Sequence, residues 1–133
     1  MAAPASDTPT ALRKGRALFN AGRFFEAHEA WEEAWLREMG QTRELLQGLI
    51  QIAAGFHHAL QKGQARGCVR LLESGLRHLE DLSDPSGGLA LTAFRDGVAR
   101  SLKRARAWER GQSTALGRKD VPRLAPAKGL RSD

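Results

Sequence analysis

The residues with the most chemistry in this sequence fall in one run, Phe-Phe-Glu-Ala-His-Glu-Ala-Trp-Glu-Glu-Ala-Trp at 24–35. At 100° per residue, Phe24, Trp31 and Trp35 share one helix face, with Ala27 and Ala34 beside them. His28 falls inside that face. Glu32, four residues on, is its neighbour along the helix. Glu29 sits one step further round. An imidazole and carboxylates turned towards an apolar face need partners, because burying them alone is costly. A second stripe, Gln47, Gln51 and His58, runs through the apolar stretch 45–60 and offers such partners. His57 falls instead among Leu46, Ile50 and Ala53, so at least one histidine of the pair is expected to be buried.

Several chemistries suit this set. His28, Glu29, Glu32, Gln47, Gln51 and His58 can line a polar pocket for a small ligand, with Phe25, Trp31 and Trp35 as apolar walls. His28 can act as a general base oriented by Glu32. His28, Glu29, Glu32 and one of His57 or His58 are ligand types that suit zinc or iron, although neither an HExxH motif nor an ExxH pair is present. The same groups also make a satisfied network, His28–Glu32–Gln51, that fixes how two helices pack. The primary expectation is a non-enzymatic ligand-binding or protein-interaction module, with a metal-dependent or hydrolase-like enzyme as its alternative. The residues name no cofactor.

A different kind of site is suggested by charge. The net charge is +6. Residues 1–94 hold ten Lys/Arg against eleven Asp/Glu, and residues 95–133 hold eleven against four. The basicity therefore belongs to the last helix and the C-terminal segment after it. Arg100, Lys103, Arg104 and Arg106 could meet phosphates there, as in a nucleic-acid-associated protein, and Trp108 is the lone aromatic beside them. The alternative is a solvated helix end favoured by its own dipole.

Five helices are needed to hold these residues. Helical periodicity places them at about 10–21, 24–38, 43–61, 64–82 and 90–110, and no alternating strand pattern is present. Gly22, Gly40 and Gly63 are the stop signals, Thr42 a candidate cap, and 83–88 the clearest loop. Short links force antiparallel neighbours, so the fold class is an all-α antiparallel bundle of αα-hairpins. Its first four helices are expected to look like tetratricopeptide hairpins, from a faint repeat that aligns Gly22, Ala27 and Trp31 with Gly63, Cys68 and Leu72. The third helix is apolar nearly all round and takes the core position. Gly48, Ala53, Ala54 and Gly55 permit close approach to it. The domain is expected over 10–110, with a disordered lead at 1–9 and a basic disordered tail at 111–133.

The chain has 133 residues, enough for a core without disulfides or structural metal. One cysteine, Cys68, can form neither an internal disulfide nor a thiolate cluster. The N-terminal run carries no signal-peptide pattern, and the low-charge stretch at 45–60 is too short and polar to span a bilayer, so a cytoplasmic setting without membrane contact is expected. Apolar faces left open in so small a bundle would suit a protein partner or a second copy.

Three blocks in order carry a family resemblance. The first is Phe19-Asn20-x-Gly22-x-Phe24-Phe25-Glu26-Ala27-His28-Glu29-x-Trp31-Glu32-x-x-Trp35. The second is Leu46-Gln47-Gly48-Leu49-Ile50-Gln51-x-Ala53-Ala54, followed by His57-His58. Gly67, Leu71-Leu72 and Gly75-Leu76 make the third. Over about 12–82 the chain resembles the domain of unknown function 309 family. That resemblance implies a compact helical bundle with no established activity. It marks His28, Glu29, Glu32, Trp35, Gln47, Gln51 and His58 as motif positions without giving them roles.

Overall fold

The computed structural model describes residues 7–128. Five helices follow one another: α1 (Thr8–Asn20), α2 (Phe24–Trp35), α3 (Gly40–Lys62), α4 (Ala65–Leu79) and α5 (Leu91–Glu109). Each packs on its chain neighbour, α1 on α2, α2 on α3, α3 on α4 and α4 on α5. The all-α bundle expected from periodicity is what forms. Among the described residues, no helix is long and apolar enough to cross a membrane.

The core is built around one phenylalanine. The Phe19 ring lies 5.3 Å from Phe24, 6.0 Å from Phe56 and 5.6 Å from Phe94, each edge-on, and 6.2 Å from Trp31. One side chain at the end of α1 thus ties α2, α3 and α5 together, in the edge-to-face geometry that aromatic quadrupoles favour. Helix α3 buries ten residues, including Leu45, Leu46, Leu49, Ile52 and Phe56, as its nearly continuous apolar surface requires. It approaches α4 through paired glycines. A Cβ at Gly48 would stand 3.0 Å from the Gly75 carbonyl oxygen, and one at Gly75 would stand 2.9 Å from that of Gly48.

The helix boundaries differ from the sequence reading for identifiable reasons. Helix α1 begins before residue 10, because Asp7 accepts a hydrogen bond from the Thr10 amide at 2.8 Å and caps it. Pro9 then sits in the first turn, where no amide proton is needed. Helix α2 stops at Trp35, and Leu36 and Arg37 turn out into solvent. Thr42 lies inside α3 rather than capping it. Gly63 ends α3 with φ +61°, the left-handed conformation glycine adopts without strain. Helix α5 is capped from the preceding loop, where Asp84 accepts from the amides of Leu91 at 2.9 Å and Thr92 at 3.0 Å.

The largest departure is after α5. Residues 112–128 are packed into the fold, where the sequence reading has a disordered tail from 111 onward. Leu116, Leu124 and Ala127 are buried, and Val121 packs against the core. The Asn20 side chain donates to the Leu124 carbonyl at 2.8 Å and accepts from the Leu124 amide at 2.9 Å. The Ser101 hydroxyl donates to the Asp120 carbonyl. The Ala90 amide donates to the Ala125 carbonyl and the Ala127 amide to that of Gly88. A short 3₁₀ turn at Arg118–Asp120 lies within this stretch. Its apolar residues have no helical or strand period, so the pattern carries no signal even though the side chains seal the bundle. Residues 1–6 of the expected lead and 129–133 of the expected tail lie outside the described residues.

Candidate functional site

The polar cluster resolves into two places. On the outer side of α2, His28 Nε2 lies 3.3 Å from Glu32 Oε2, as their four-residue spacing dictates. Phe25 stacks on the His28 ring at 6.1 Å and meets the His57 ring of α3 at 5.6 Å. Phe25, His28, Glu29, Glu32, Glu33 and Leu36 line a shallow depression of about 410 Å³. His28 is about a quarter exposed and Glu32 about half, so the pair faces solvent rather than the core. The inner edge of the imidazole is different. His28 Nδ1 is buried, with no hydrogen bond.

The remaining residues do not join this pair. His58 turns towards the start of α4, where its Nδ1 lies 2.7 Å from Gln64 Oε1 and its ring fills the space above Gly67. Gln51 Oε1 is buried without a hydrogen bond, and Gln47 is half-buried. Among the described residues no hydrogen bond joins either glutamine to His28 or Glu32. Of the three expected aromatic walls, only Phe25 borders the depression. Trp31 is fully buried against Gly15 and Phe19. Trp35 is covered by the Arg43 guanidinium, 4.1 Å from the ring centre. Both His57 and His58 are half-buried. Among the described residues, no group of three or more His, Cys, Asp or Glu is gathered as metal ligands.

Two titratable groups here are shifted. The His57 pKa is lowered from its ordinary 6.5, first by burial and then by electrostatic repulsion from the neighbouring basic groups Lys62, His58 and His28. Burial raises the Cys68 thiol to about 12, so it is protonated at neutral pH and not poised as a nucleophile.

The basic helix is partly engaged within the fold. Arg104 bonds to Ser113 at 2.6 Å, to the carbonyls of Thr114 and Ala115, and to Asp120 at 3.2 Å. Arg106 pairs with Glu73. Arg100 and Lys103 are exposed. Half of the cations expected to meet phosphate therefore hold the chain's own acids and carbonyls.

Sequence reasoning missed Arg16. It is only 5% exposed and lines a cavity of about 650 Å³ beside the start of α1. The signal was available, because Leu12, Arg16 and Phe19 follow the i, i+4, i+7 spacing of a buried stripe.

The comparisons agree with this architecture. The model of the family described as Domain of unknown function (DUF309) matches residues 12–71, which spans α1 to mid-α4. No curated protein matches the chain. Among solved structures, the conserved hypothetical protein TTHA0068 from Thermus thermophilus is similar at 36% identity, with a TM-score of 0.60, over 68% of this chain and 93% of that one. With the family model matched over residues 12–71 and this degree of identity to a solved relative, the chain belongs to the domain of unknown function 309 family.

Proposed function

We propose that this chain is a non-enzymatic interaction module that docks a partner protein on the outer face of α2. The observation that carries this is the exposure of two large apolar side chains around the His28–Glu32 pair, Phe25 at 54% and Leu36 at 69%. Apolar groups grouped with polar neighbours on an open surface are typical of protein contacts rather than of small-molecule clefts. Helix α2 carries four glutamates and no Lys or Arg, so the fitting partner segment is apolar and basic. The shallow form of the depression and the partly exposed pair support the same reading. A partner peptide would cover Phe25 and Leu36 and place its cations against Glu29 and Glu32.

The test compares capture from native lysate by the wild-type chain and by a Phe25→Ala, Leu36→Asp double variant. A stoichiometric protein held by the wild type and lost with the double variant is expected, and its association should weaken as salt rises. A captured protein that the double variant retains equally would contradict the reading, as would capture indifferent to salt.

A further inference from the structure

The cavity beside the start of α1 carries an independent inference. Arg16 lies on α1 between Leu12 and Phe19, on the face that packs inward. It is 95% buried, and among the described residues it forms no hydrogen bond or ion pair. None of its nitrogens is among the sealed polar atoms that lack a hydrogen bond, so the guanidinium opens into the cavity while the rest of the side chain is enclosed. A cation held in this way is available to an anionic ligand. Among the described residues the one carboxylate on the cavity wall, Glu38, accepts from the Thr8 hydroxyl, and a second cation, Arg13, shares the lining. The rest of the wall is mostly apolar, with Leu12, Leu89 and Pro126 among its lining, and it includes Thr42.

We propose that this cavity is a binding site for a small amphipathic anion, with a carboxylate or phosphate head on Arg16 and an apolar body against Leu12, Leu89 and Pro126. The planar fork of a guanidinium matches two oxygens of either head group. A cavity of about 650 Å³ is in the range that encloses a small organic molecule. An apolar wall with one convergent charge is the usual composition of such sites, and it selects against both bare inorganic anions and neutral lipids. The site is built from α1, Glu38 in the link after α2, Thr42 of α3, the glycine loop at 87–88 and the segment around Pro126. It shares no lining residue with the depression on α2, so either can fail without the other.

Titration calorimetry of the full chain with octanoate, octyl phosphate, octanol and inorganic phosphate tests this. One equivalent of octanoate or octyl phosphate should bind, at least tenfold more tightly than octanol or inorganic phosphate. Whichever of the two binds more tightly identifies the head group. Arg16→Gln should weaken that binding tenfold or more. Arg16→Met should abolish it. Equal binding of octanoate and octanol would overturn the proposal. So would an Arg16→Met variant that binds as the wild type does. Removal of residues 129–133 should leave the affinity unchanged; a tenfold gain would show that the chain's own carboxylates fill the cavity.

Discussion

His28 and Glu32 show how little a short spacing says about depth. The pair forms as the i, i+4 rule requires, yet it faces solvent, because Trp31 and Ala27 take the inward direction of α2. Exposed helical pairs contribute about 0.5 kcal/mol or less, so Glu32→Gln should leave the denaturation midpoint nearly unchanged. A loss of several kcal/mol in urea unfolding would place the pair in a structural network after all. His57 makes a pH prediction. Its folded pKa is below the unfolded value of 6.5, so the folded state disfavours its protonation. Stability is full above 6.5 and falls as pH drops from 6.5 through the lowered folded value. Tm measured between pH 7.5 and 5 should decline in the wild type and decline less in His57→Gln. Equal slopes would remove His57 as the cause. Cys68, buried and held protonated with a pKa of about 12, should resist a thiol reagent at neutral pH until the chain unfolds; rapid labelling of the native protein would contradict its burial.

Elements were legible where apolar residues kept a period. The five helices, the Gly63 stop and the loop at 83–88 can all be read directly, and so can the apolar girth of α3. The ends of helices are harder, because caps act across a boundary: Asp7 caps α1, and Asp84 caps α5 from seven residues away. The glycine contact between α3 and α4 was legible only in part. Gly48 stands out in an apolar helix, but its partner Gly75 is set by the crossing. Gly75→Ala would bring a Cβ to 2.9 Å from the Gly48 carbonyl oxygen and 2.6 Å from Ile52. Overpacking of this kind costs about 1–3 kcal/mol. A Gly75→Ala protein with wild-type stability would mean that the helices separate freely. Asp84→Ala should lower the Tm, since the first amides of α5 lose their acceptor.

At the scale of the whole molecule, the segment after α5 is part of the fold. The Asn20 side chain holds the Leu124 backbone by two hydrogen bonds, and Leu124 itself is fully buried. Leu124→Ala should therefore cost about 2–5 kcal/mol, a size that a disordered tail could not show. This docking was hidden in the sequence, because Pro, Gly and Lys/Arg surround isolated apolar residues and give no period. It also changes the meaning of the charge. Arg104 and Arg106 are engaged by Asp120 and Glu73, while α2 on its own carries only negative charge. The molecule thus presents an acidic face with open apolar groups and, elsewhere, a basic surface that is partly neutralised.

A photo-crosslinking residue placed in turn at Leu36, just past α2, and at Arg100 on α5 measures which face meets a partner. The account predicts one discrete protein adduct from Leu36, lost when Phe25→Ala is added, and none from Arg100. An adduct from Arg100 alone, with protein or with nucleic acid, would contradict it and move the functional surface to the basic helix.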